Sequence, residues 1–180
     1  MPACGPWCIL AAPWAVPGAI AMPRRYVQLD VFASRPGTGN PLGAVLDAEG
    51  LDTASMQAIA AWLNLSETVF FLPPDAGADY RIRIFTPGSE LPFAGHPSVG
   101  AAWLATTHGL ATPRDGRLVQ QCAAGLLPAE VHGDPLRPGI RLRSPRGRLL
   151  DASPGTLPAE LAAIAQAGHA VELWNNGPSW

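Results

Sequence analysis

Between Tyr26 and Thr107 the hydrophobic pattern twice switches from a period of two residues to a helical one of about 3.6, and few folds accept that order. Residues 26–32 alternate, with Val27, Leu29 and Val31 on one face, as in a half-buried strand. Residues 34–40, Ser-Arg-Pro-Gly-Thr-Gly-Asn, carry turn chemistry, and 42–46 make a second short strand. Asp52 and Thr53 can cap a helix in which Met56, Ile59, Ala60 and Leu63 share a face, ending near Asn64. Residues 69–72 read as a buried strand closed by Pro73 and Pro74. Residues 79–86 alternate again, Tyr80, Ile82 and Ile84 opposite Arg81 and Arg83. A helix is predicted over 97–107, with Pro97 first, where a missing N–H costs nothing. After Gly109 the texture changes: 118–131 and 140–150 read as strands, 157–167 as a short alanine-rich helix and 171–174 as a strand start. This order predicts an α+β fold with mixed or antiparallel sheets.

Composition excludes several chemistries. The chain of 180 residues has twelve Lys plus Arg, and every one is arginine. Without lysine there is no Schiff base to pyridoxal phosphate and no Gly-Lys-Ser/Thr phosphate loop. A formal charge of −2 gives no overall attraction to nucleic acid or anionic membrane. Three cysteines, Cys4, Cys8 and Cys122, are too few and scattered for a disulfide framework, and no histidine neighbours the first two as a zinc ligand would. Cys122 lies in an apolar run and reads as core.

Residues 1–21 are apolar, uncharged and broken by Pro2, Pro6, Pro13 and Pro17. They lack the basic start of a signal peptide and the continuity of a membrane helix, although Ala19-Ile20-Ala21 resembles a cleavage site. The expectation is an unstructured leader or an early start codon, with the fold beginning at Met22 and unchanged in stability when the leader is removed.

Two segments could carry chemistry. In Asn64-Leu65-Ser66-Glu67-Thr68 a helix gives way to an apolar strand, so the Glu67 carboxylate sits where it could take and return a proton, or simply begin a strand in solvent. Phe93-Ala94-Gly95-His96-Pro97 precedes a helix, whose free N–H groups suit a carboxylate. Gly95 allows close approach and His96 can donate or relay a proton; a plain N-cap histidine is the alternative. Asn40 is a turn residue or a ligand donor. His108, His132 and His169 show no partner pattern, and Arg141 and Arg143 flank Leu142 as one solvated strand face.

Residues 26–32 (Tyr-Val-Gln-Leu-Asp-Val-Phe), Thr38-Gly39-Asn40-Pro41, residues 64–68, Phe85-Thr86-Pro87 and Glu90 through Pro97 occur in an order that resembles the phenazine-biosynthesis (PhzF-like) isomerase family, which shares its fold with diaminopimelate epimerase. The resemblance runs from Met22 to Trp180, including Asn176-Gly177-Pro178. It implies two similar lobes with a site between them: a first lobe over 22–115 and an incomplete second over 116–180. It implies a biosynthetic, cytoplasmic, homodimeric enzyme that shifts a proton on a small carboxylate-bearing metabolite without metal or organic cofactor. Glu67 matches the catalytic glutamate, Gly95 and His96 the substrate-holding residues, and Ser66 and Asn40 conspicuous neighbours. The epimerase relatives use two cysteines, and no thiol stands beside Glu67 or His96, which disfavours a thiol racemase. The rival reading is a truncated, catalytically inactive remnant or weak ligand-binding fragment, because the wall facing Glu67 is expected to be mostly missing.

Overall fold

The computed structural model describes residues 23–150, 157, 159–168 and 173–175; the expected leader, Asn176-Gly177-Pro178 and His169 lie outside this set. In chain order the elements are β1 (Tyr26–Val31), β2 (Asn40–Val45), α1 (Thr53–Leu63), β3 (Glu67–Leu72), β4 (Tyr80–Phe85), β5 (Glu90–Leu91) and α2 (Gly95–Thr107). Then follow β6 (Arg117–Cys122), β7 (Gly125–Asp134), β8 (Arg137–Leu142), β9 (Arg148–Leu150), α3 (Ala159–Gln166) and β10 (Leu173–Asn175). The fold is α+β, as the alternating periods require.

One mixed sheet takes the order β1-β2-β3-β4-β6-β7-β8, while β5 shares the edge of β4 with β6. The β2–β3 and β4–β6 joints are parallel and the others antiparallel. Helix α2 touches β1, β2, β3, β4, β6 and β8, so the sheet curls around it until both outer strands lie against the same helix. The division expected at residues 115/116 therefore falls inside one sheet: Tyr80 pairs with Gln120, and β6 to β8 continue the curl. Strands β9 and β10 form a separate two-stranded sheet.

The two helices explain the unbroken apolar run of β3. Val69 and Phe71 point to the α2 side with Leu42, Ile82, Ile84 and Leu104, whereas Phe70 packs with Met56, Ala60 and Phe85 under α1. A strand covered on both faces loses the alternation that a half-exposed strand keeps. Asp52 caps α1 by accepting from the Ser55 N–H at 2.7 Å, and Asn64 ends it in the left-handed region at φ 51°. Arg141 and Arg143 are exposed, and Arg141 pairs with Glu130 at 3.3 Å.

Helix α2 is slender where it is buried. Gly100, Ala101, Ala102 and Ala105 face the sheet, and a side chain at Gly100 would meet Leu42 Cδ2 at 2.5 Å. Below it lies a buried polar chain: the Tyr80 hydroxyl donates to Gln120 Oε1 at 3.1 Å, and Gln120 Nε2 donates to Ser98 Oγ at 3.0 Å. Ser98 and Gln120 are fully buried, so this chain joins α2 to β4 and β6 with its polar atoms paired.

Candidate active site

Parallel pairing of β2 with β3 sets Leu42 beside Glu67 and so brings the starts of both strands to one end of the sheet, where α2 also begins. Asn40, Ser66, Glu67, Gly95 and His96 meet there around a cavity of about 740 Å³. All five residues singled out in the sequence are therefore brought together.

His96 is the hub. Its Nε2 lies 3.2 Å from Glu67 Oε2, and its Nδ1 lies 3.1 Å from Asn40 Nδ2. With Asn40 Oδ1 turned to the Ser66 hydroxyl, its amide nitrogen, which can only donate, faces His96. Nδ1 therefore accepts, and the neutral imidazole carries its proton on Nε2, on the Glu67 side. The approach of Nε2 to Oε2 is close but not aligned as a hydrogen bond, and both atoms are buried without another partner. Two such polar groups side by side are costly at rest and ready for a third partner. Ser66 braces Asn40's end of the site, its hydroxyl donating to the Pro41 carbonyl at 2.9 Å.

The segment 64–68 divides several jobs among neighbours. Asn64 stops the helix, Ser66 ties down β2, Glu67 faces the cavity and Thr68 is buried among the core residues. Helix α2 starts at Gly95, two residues earlier than expected, with Ala94 rather than His96 as N-cap. Pro97 is tolerated because none of the first four N–H groups of a helix has an intrahelical partner. Ala94 has no side chain to close the turn, so the Gly95 and His96 N–H groups remain the positive end of the helix dipole.

Burial pushes the His96 pKa below its ordinary value, and the Glu67 carboxylate opposes that shift in part. The unfolded chain then binds more protons than the folded one as pH falls through about 6.5, where histidine ordinarily titrates. Stability contributed by neutral His96 is thus full above that pH and is lost as pH falls through the lower folded value. Urea unfolding at pH 7.5 and 5 should show the protein weakening on acidification, and His96→Asn should flatten that dependence.

The Thr38-Gly39-Asn40 turn owes its glycine to crowding. Asp30 accepts from the Gly37 and Thr38 N–H groups at 2.6 and 3.2 Å, folding the loop onto the end of β1. A side chain at Gly39 would lie 2.8 Å from Ala33 N and nearer still to the Val31 carbonyl oxygen. Gly39→Ala should therefore cost about 1–3 kcal/mol and shift Asn40 off His96. Chemical denaturation and the His96 ring signals in NMR would register both effects.

Sequence reasoning gave no site role to the remaining lining: Phe32, Phe93, Ala94, Val99, Leu142 and Ser144. Leu142, the last residue of β8, and Ser144 just beyond it join this lining because the sheet curls far enough to bring them round. Phe32 is a bulky residue at φ 63°. Such a conformation costs roughly 1–3 kcal/mol and is kept where surrounding structure enforces it.

Residues 29–153 match the family model described as Phenazine biosynthesis-like protein. The chain belongs to this family. Among curated relatives, trans-2,3-dihydro-3-hydroxyanthranilate isomerase of Pseudomonas aeruginosa is 39% identical over 160 residues, 86% of this chain and 54% of that protein. Antisense-enhancing sequence 1 of Schizosaccharomyces pombe is 44% identical over 110 residues, 61% of this chain and 37% of that one. Among solved structures, a Bacillus anthracis phenazine biosynthesis protein of the PhzF family superposes with a TM-score of 0.62 at 34% identity, covering 73% of this chain and 44% of that one. The chain spans about half the length of the curated isomerases it matches. A hydroxyproline epimerase from Agrobacterium vitis shares the fold at a TM-score of 0.54 and 13% identity, over 70% of this chain and 42% of that one. Among the described residues, no helix is long and apolar enough to cross a membrane.

Proposed function

We propose that this chain carries the proton-transfer wall of an isomerase acting on a small ring carboxylate of the trans-2,3-dihydro-3-hydroxyanthranilate type. The observation that carries this reading is the buried contact of Glu67 Oε2 with His96 Nε2 beside the open N-terminus of α2. The substrate carboxylate binds at the Gly95 and His96 N–H groups, where backbone donors and the helix dipole favour negative charge. Glu67 removes a proton from an allylic carbon, and the C–H electron pair becomes a new double bond to the neighbouring carbon. The pair of the former double bond moves to the far carbon, and the proton returns there. One C–H bond breaks and another forms, with no change in oxidation state, so the step balances on Glu67 alone. His96, held by Asn40, donates from Nε2 to the charge that develops.

Supporting this reading are the family membership and the isomerase name of the Pseudomonas aeruginosa relative. Incubation with trans-2,3-dihydro-3-hydroxyanthranilate in deuterated water should put deuterium into the ring. Binding of that carboxylate without any exchange would leave a ligand site and end the isomerase reading.

A further inference from the structure

The cavity is divided in chemistry. Asn40, Ser66, Glu67 and His96 form a polar end, whereas Phe32, Phe93, Val99 and Leu142 are apolar. Phe93 is buried in the core, so its ring is already covered. Phe32 is different: 73% of its surface is exposed.

Phe32 also stands at a boundary. It lines the active-site cavity and a second apolar cavity of about 480 Å³ between β1 and β8, where Leu29, Val31, Trp103 and Ile140 are its neighbours. The preceding residue, Val31, is buried against the core at the end of β1. A continued strand would turn residue 32 to the opposite face of the sheet. The left-handed backbone at Phe32 ends the strand instead and leaves its ring at the mouth of the cavity. The conformation is held from outside: Asp30 grips the 37–38 loop, and Gly39 lies against the Val31 carbonyl and Ala33 N–H on either side of Phe32. The same loop delivers Asn40 to His96, so the aromatic and the polar parts of the site are set by one turn.

Resting on the site reading above, we propose that Phe32 is a specificity-determining residue whose ring packs on the apolar flank of a bound carboxylate and selects ring-bearing over short-chain ligands. A bulky side chain at positive φ is strained, and with 73% of its surface exposed Phe32 adds little to the core in return. A ligand face laid on the ring would remove apolar surface from both partners and keep water from the Glu67–His96 pair.

Benzoate and acetate separate the two halves of the idea, since both carry the carboxylate and only one carries a ring. Titrations of the full chain, followed at the Gly95 and His96 amides by NMR, should show benzoate binding more tightly than acetate. Phe32→Ala should weaken benzoate about three- to tenfold, the span of one aromatic contact, and leave acetate within about twofold. Phe32→Gly accepts the positive φ freely, so its melting temperature should not fall although benzoate binding weakens equally. Opposite movements of stability and ring affinity are not expected of a purely structural residue. An unchanged benzoate-to-acetate ratio in both variants, with Gly95 and His96 still responding, would overturn the role of Phe32 alone. If neither anion moves those amides in the unaltered chain, the carboxylate site itself is wrong and Phe32 falls with it.

Discussion

Glu67→Gln should reduce solvent deuterium incorporation into trans-2,3-dihydro-3-hydroxyanthranilate by about 10²–10⁴-fold, the usual worth of a positioned acid–base group. The change keeps the side chain's shape and its approach to His96 while removing the carboxylate assigned to take the proton from carbon. Glu67 lies at the first residue of β3 on the rim of the cavity, so unfolding curves of the variant should overlay those of the parent. Exchange within a factor of a few of the parent rate would move the proton-transfer role to another residue. A fall in stability matching the fall in rate would instead mark Glu67 as a structural partner of His96.

The largest effect on stability is expected far from the cavity mouth. Gln120→Leu leaves the Tyr80 hydroxyl and Ser98 Oγ buried without the partners that Gln120 now provides. Each orphaned group costs about 1–3 kcal/mol, so a loss of roughly 2–6 kcal/mol is expected, a large part of the ~5–15 kcal/mol that holds a typical domain together. Adding Tyr80→Phe removes one orphan and should recover part of the loss, a non-additivity that urea denaturation of the two single variants and the double variant would measure. Simple summation of the two single losses would show that the hydroxyl finds another partner when Gln120 is gone.

The secondary structure was largely legible because local rules dominate it. Alternation marked β1 and β4, the spacing of Met56, Ile59, Ala60 and Leu63 marked α1, and Asp52 and Asn64 marked its ends. Where a rule had exceptions, reading failed. Proline favours the first helical position, yet any place in the first turn serves it, and α2 begins at Gly95. The family resemblance supplied the lobe boundary at 115/116; no local pattern reports that Tyr80 pairs with Gln120, forty residues on, in a parallel joint. Among the polar candidates, Glu67 and His96 stood out by their chemistry at element junctions, whereas Asn40 and Ser66 were put forward through the family resemblance; all four line the cavity. Phe32 and Leu142 carry no such mark, and a left-handed phenylalanine is too rare to be expected from its neighbours.

Helix α2 works as a mandrel for the sheet. Its buried side chains are mostly glycine and alanine, so the strands wrap it at close range and the two outer strands end on either side of one thin rod. The gauge of that rod sets how near Phe32, leaving β1, stands to Leu142 at the end of β8. Interiors at crystal-like density pass added volume on to their surroundings instead of absorbing it. Bulk added at Ala101 or Ala105 would therefore be felt as a wider gape at the mouth, several layers away. The dimensions of the cavity are inherited in part from residues that never meet its contents, and members of this family could retune their pockets by changing the thickness of a helix while leaving every polar group in place.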